Sequence, residues 1–210
     1  MLKWFSLLIT CFLLIGCEAK MNPPQKNPQP SPPAVVDEQN KTLRVFFPHA
    51  PVEKMYLGVG NEFAQYTEKF YENEGPYFPA VMDNGGNRFF RIYKITDNEI
   101  SLVYEQPDFF EEEIPAPSSL ENRFLVQPLL RLPLEVGEKV GQWKIASVTE
   151  KLSLPIGDFS DVVVIQKANE DGSIIRQYWA KNYGKIKDEF LLKDDSGNIN
   201  EVSSELQTMK

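Results

Sequence analysis

From residue 43 to the end of the 210-residue chain, apolar residues come in short runs that turn-forming residues keep interrupting. The runs are "LRVFFP" (43–48), "EFAQYTEKFY" (62–71), "YFPAVM" (77–82), "RFFRIYKI" (88–95), "EISLVYE" (99–105) and "NRFLVQ" (122–127). They continue with "WKIASVTEKLSL" (143–154), "DVVVIQKA" (161–168), "SIIRQYWA" (173–180) and "GKIKDEFLL" (184–192). Aromatic and β-branched residues dominate them, and runs this short bounded by Gly, Asn, Asp and Pro favour strands over helices. The connectors "DNGGN" (83–87), "TDN" (96–98), "NEDGS" (169–173) and "KNYG" (181–184) suit hairpins, because Gly and Asn accept positive φ. One stretch fits both periods: Phe63, Tyr66 and Phe70 also match helical spacing within 62–72. The expected class is mainly β with antiparallel pairing. Doubled aromatics, Phe46-Phe47, Phe89-Phe90 and Phe109-Phe110, cannot both point inward from a strand with one wet face. Either two sheets sandwich the strand, or an aromatic face is presented to a ligand or partner, and core packing is the expectation. Two related halves are expected to form a sandwich or half-barrel.

The sequence also resembles itself. "DNGGNRFFRIYKITDNEISLVYE" and "NEDGSIIRQYWAKNYGKIKDEFL" superpose without gaps when Gly86 is set on Gly172. Ile92 then meets Tyr178, Tyr93 meets Trp179, Ile100 meets Ile186 and Tyr104 meets Phe190. Upstream of each, a Gly-containing turn leads into an aromatic strand, in "LGVGNEFAQYT" (57–67) and "EVGEKVGQWKIASVT" (135–149). Two related β-meanders are expected, in halves 42–110 and 122–210, joined by the acidic, Pro-containing segment 106–123.

The amino end is of another kind. Lys3 precedes an uncharged apolar stretch, Trp4 to Gly16, of thirteen residues. As a helix it would cover about 20 Å, short of the roughly 30 Å hydrocarbon core, so it suits an export signal better than a membrane span. It ends in "LLIGCEAK" (13–20), where Leu14-Ile15-Gly16-Cys17 resembles the lipobox of bacterial prolipoproteins. That resemblance implies cleavage between Gly16 and Cys17, with a diacylglyceryl thioether on Cys17 and further acylation such as palmitate. One acyl chain binds a bilayer marginally and two hold it stably. Residues 1–16 are thus the expected signal peptide, 17–41 a lipidated Cys with a tether carrying six prolines, and 42–210 the exported domain. A Pro-rich tether is extended at about 3.1 Å per residue. The layout "LPLEVGEKVGQW…YWAKNYGKIK", with "SLPIGDF" (153–159) as its middle turn, is similar to that of uncharacterised lipoproteins of Gram-positive cell surfaces. The resemblance implies a place on the outer face of the cell membrane and no particular activity.

Chemistry is hard to find in the exported part. Cys11 falls in the signal and Cys17 at the anchor, so no thiol remains for a disulfide, a cysteine metal site or a nucleophile. His49, in "FPHAP", is the single histidine, and no G-x-S-x-G elbow occurs. Glu111, Glu112 and Glu113 are adjacent and read as a solvated acidic loop, not a convergent acid pair. "DDSGNIN" (194–200) alternates oxygen ligands but has Ile199 where a calcium loop needs Gly, so it reads as a turn with Gly197 at positive φ. "GVGNE" (58–62) lacks the third glycine of a phosphate-cradling loop. Removing Lys3 with the signal takes the net charge from −8 to −9, which repels nucleic acid. No catalytic residue, metal or cofactor is expected. The expected role is a lipid-anchored, non-catalytic binding or structural module meeting an envelope protein or polymer. The competing expectations are a carrier or chaperone for an apolar ligand such as lipid, and an envelope hydrolase.

Overall fold

In a computed structural model that describes residues 42–194 and 196–210, alternation of buried and exposed side chains becomes strand after strand. The first meander runs through β1 (Val52–Val59), β2 (Tyr66–Phe70), β3 (Tyr77–Asp83), β4 (Arg88–Ile95), β5 (Glu99–Gln106) and β6 (Gln127–Arg131). The second runs through β7 (Lys139–Val140), β8 (Trp143–Leu154), β9 (Gly157–Ala168), β10 (Ile174–Ala180), β11 (Gly184–Lys193) and β12 (Ile199–Met209). Every pairing is antiparallel, and the two meanders share one sheet in the order β6-β5-β4-β3-β2-β1-β12-β11-β10-β9-β8-β7. The sheet curls into a nearly closed half-barrel, joined at β1–β12 and unpaired between β6 and β7.

The repeat is real at its first strand. β4 and β10 start at equivalent positions, Arg88 and Ile174, and each carries a register shift at the equivalent step, Ile92/Tyr93 and Tyr178/Trp179. The return strands depart from the gapless superposition. Ile92 faces Tyr104, whereas Tyr178 faces Lys187, three residues short of Phe190. The β10–β11 turn is tightened by Asn182 (φ 66°) and Gly184 (φ 70°), both left-handed. Phe190 is consequently half-exposed where Tyr104 is buried.

Three segments differ from expectation. Residues 43–48 form no strand: Leu43–Phe46 is a 3-10 turn whose Thr42 side chain accepts from the Arg44 N–H at 3.2 Å. It caps one end of the curled sheet. Leu43, Phe46 and Phe47 enter the main core with Tyr93, Ile95 and Trp179, and its backbone bonds both repeat turns, Leu43 N to Asp97 O at 2.7 Å and Asn182 N to Val45 O at 2.6 Å. Within 62–72 the strand reading holds for Tyr66–Phe70, after a one-turn 3-10 segment at Glu62–Ala64. At 122–127 a 3-10 segment, Pro117–Arg123, precedes β6, so strand structure begins only at Gln127.

The segment expected to join the halves lies inside the first one, because β6 pairs with β5. The passage between meanders is therefore 132–138. Segment 107–126 instead covers a sheet face. Phe109, Ile114, Leu120 and Phe124 pack on Val81, Phe90, Ile92 and Tyr104. Phe90 and Phe109 stack at 4.9 Å between centroids. Where this segment covers β3, β4 and β5, both faces of the sheet are thus packed, which accounts for the paired aromatics of β4.

Candidate interior binding site

Charged residues sit in phase with the core. Lys54 falls between Val52 and Tyr56 on one face of β1, Glu68 between Tyr66 and Phe70 on β2, and Arg91 two residues before Tyr93 on β4. Lys54 and Glu68 are each only 1% exposed. Buried charge costs stability unless it is paired and hydrogen-bonded; Glu68 has both kinds of partner, whereas Lys54 is hydrogen-bonded to neutral groups. Lys54 Nζ donates to the Lys185 carbonyl at 2.8 Å and to the Tyr56 hydroxyl at 3.1 Å. Tyr93 donates to Glu68 Oε1 at 2.9 Å, and Arg91 Nε donates to Glu105 Oε2 at 2.7 Å with Nη1 4.0 Å from Glu68. Tyr66 donates to Asp188 Oδ2 at 2.9 Å, and Lys185 Nζ lies 2.7 Å from the same oxygen.

The electrostatics follow from that burial. Desolvation lowers the Lys54 pKa to about 8, with Glu68 pulling the other way. The hydroxyls of Tyr56, Tyr66 and Tyr93 are held well above their ordinary value, first by burial and then by nearby carboxylates. For Arg91, burial opposes the charge, but Tyr93, Glu68 and Glu105 outweigh it and raise the pKa.

A cavity of about 220 Å³ opens among these groups. Its first wall comes from Tyr66, Arg91 and Tyr93, with Met82, Leu102 and Leu129 filling the apolar part. Its second wall comes from Gln177 and Trp179 on β10 and Lys185 and Asp188 on β11. One cavity reaching from β4–β6 to β10–β11 requires the sheet to curl, because those strands are far apart in its order.

The repeat brings equivalent positions into this one space. An offset of 86 residues places Arg91 on Gln177 and Tyr93 on Trp179, and all four line the cavity. Arg91 and Tyr93 are satisfied by Glu105 and Glu68. Trp179, only 2% exposed, has no hydrogen-bond partner for Nε1 among the described residues, and buried Gln177 Oε1 has none either. Buried polar atoms are nearly always bonded, so this unmet donor and acceptor on β10 are exceptions among the described residues.

The candidate residues of the sequence lie elsewhere. His49 and Glu111–Glu113 are exposed. Residues 194–200 make a turn in which Asp194 Oδ1 accepts from the Asn198 N–H at 2.8 Å and Gly197 has φ 88°. No cluster of metal-ligating side chains occurs among the described residues. Gly16, Cys17 and the tether lie outside the described residues. The interior site is not among the sequence expectations, although a signal for it exists: Lys54, Glu68 and Arg91 each interrupt an alternating apolar row.

No family model and no curated protein matches the sequence. Among solved structures, similarity is found to a Bacteroides fragilis protein described as exported and with a YmcC-like fold. The two share 11% identity at a TM-score of 0.47, over 79% of this chain and 99% of that one.

Proposed function

We propose that this chain is an extracytoplasmic lipoprotein, tethered through Cys17 to the outer face of the cell membrane, whose β domain is a non-catalytic binding module of the envelope. The observation that carries the binding role is the interior cavity, walled by Tyr66, Arg91, Tyr93, Gln177, Lys185 and Asp188. The polar walls weigh against a carrier of apolar ligands, and the volume lies below the roughly 300–1,000 Å³ of pockets for drug-sized molecules. For hydrolysis the cavity offers little. Its lining carboxylate, Asp188, already holds Tyr66 and Lys185. The tether rests on the lipobox resemblance and on thirteen apolar residues before it. Among the described residues no helix is long and apolar enough to cross a membrane.

Two measurements test the two parts. Labelled palmitate fed to cells making the full chain should enter the protein and be lost in Cys17→Ala; equal labelling of both ends the tether reading. Native mass spectrometry of protein purified from its own host should show a bound small molecule released on unfolding. Protein that emerges empty, and stays empty against extracts of that host's envelope, ends the binding reading.

A further inference from the structure

We infer that a second cavity, beside the 3-10 cap, binds a zwitterion of single-residue size, an α-amino acid with an apolar side chain, whose ammonium group meets Asp161 and whose carboxylate meets Lys181. This site is separate from the interior cavity and does not depend on that reading.

The cavity measures about 240 Å³. Phe46 of the cap, Leu134 of the passage between meanders, Val148 of β8 and Val163 of β9 give it an apolar floor. Phe46 and Val163 belong to the main core, and Leu134 and Val148 pack against it, so the floor is held in place. Its polar lining is Thr149, Asp161 and Lys181, the last from the β10–β11 turn. An apolar surface with a few polar groups is the usual make-up of a small-molecule site.

The backbone brings those polar groups there. The pairing of β8 with β9 passes from Ser147↔Val164 to Glu150↔Val162 and then to Leu152↔Phe159. β8 thus carries one extra residue at 148–149, and β9 takes the step back with one extra at 160–161. Such bulges re-aim side chains out of the ladder. At the second, Asp161 takes a left-handed φ of 55°, which is costly for a residue with a side chain. Lys181 is held from the other side. The next residue, Asn182, donates its N–H to the Val45 carbonyl at 2.6 Å and ties the turn to the cap that supplies Phe46.

Charge decides the ligand class. Among the described residues neither Asp161 nor Lys181 has an ion-pair partner, and the two lie beyond ion-pair distance of each other. One unmatched charge of each sign therefore borders one apolar floor, and the complement carries both signs and no net charge. In an α-amino acid the two charges flank a single carbon, which leaves the side chain free to enter the floor and lose water. The Thr149 hydroxyl, both donor and acceptor, suits either charged group. The space equals about eight waters at bulk volume, enough for one residue and not for a longer peptide.

The experiment follows backbone amide resonances of the whole mature protein by nitrogen-15 correlation spectroscopy. The probes are L-leucine and L-valine, each beside its amide, which lacks the carboxylate, and its deaminated acid, which lacks the ammonium group. At least one of the amino acids should shift the Thr149 and Asp161 amides saturably, with its two analogues weaker by about tenfold or more. Asp161→Asn keeps a residue that accepts a left-handed φ, and Lys181→Met keeps the stem of the side chain, so neither should disturb the fold. Asp161→Asn should weaken the amino acid about tenfold and leave the deaminated acid unchanged. Lys181→Met should weaken it to a similar degree and leave the amide unchanged. An amide or deaminated acid that binds as tightly as its amino acid overturns the ligand class. Binding that survives both substitutions lies elsewhere in the molecule and ends this site, as does the absence of any saturable shift. Neither result touches the interior cavity, whose lining shares no residue with this one.

Discussion

β4 and β10 are the same strand used twice, and they differ in how their inward side chains are satisfied. On β4, Arg91 and Tyr93 reach carboxylates of β5 and β2, so that wall is complete within the chain. On β10, Gln177 and Trp179 take the same two positions and meet no partner among the described residues. Both strands bury a large ring in the same core. The difference teaches that the repeat supplies a framework, while the polar atoms at its equivalent positions divide it into a half satisfied within the chain and a half that is not.

Substitution at equivalent positions tests that division, starting with the largest effect. Arg91→Leu leaves Glu105 without its closest partner and buried Glu68 without its nearest cation, and should lower the unfolding free energy in urea by about 3–5 kcal/mol. A loss under about 1 kcal/mol would mean that the β4 wall is not held by its charges. The Lys54 amine comes next. Its pKa falls from 10.5 in the unfolded chain to about 8 when folded, so between those values the unfolded chain holds the proton and the folded one does not. Its burial therefore costs stability below pH 8, and that cost is relieved as pH rises toward 10.5, by about 3 kcal/mol. The difference in stability between wild type and Lys54→Met, measured from pH 7 to 10, should shift in favour of wild type as pH rises. The three buried tyrosines act oppositely. Their raised pKa values contribute stability that is lost above pH 10.

Tyr93→Phe removes the hydroxyl bonded to Glu68 and should cost about 1–3 kcal/mol, read by the same denaturation. The smallest effect belongs to β10. Gln177→Leu removes an oxygen that has no partner, so stability without ligand should stay within about 0.5 kcal/mol of wild type or rise. A loss as large as that of Arg91→Leu would show that β10 is as structural as β4, and the comparison would break.

Much of this architecture is legible in the chain. Alternation and turn residues mark β3, β4, β5, β8, β10 and β11, and the offset of 86 residues finds β4 and β10 down to the register shift they share. The return strands are not legible, because φ at Asn182 and Gly184 sets the hairpin register and gapless comparison cannot see it. Nor is the fate of Leu43–Phe46, whose apolar residues fit a strand but serve as an end cap, a role fixed by contacts with turns 53 and 137 residues away at Asp97 and Asn182. The site is half legible. Three charges in apolar rows point to an ionic interior, yet whether an inward Gln or Trp has a partner depends on distances across the barrel. A composition that is 12% aromatic promises rings, and only the folded sheet decides which of them keep a free polar atom.

The unmade pairing between β6 and β7 leaves this sheet with two free margins, which a fully sealed cylinder would lack. β6 carries Pro128, which has no N–H to offer, and β7 is two residues long. The margins meet where a methyl group on Gly141 would sit 3.4 Å from the Pro128 ring and carbonyl. A neighbouring copy seeking to extend the sheet would find one rim blunted and the other too brief to template it. Copies of this domain brought close together would keep their sheets separate.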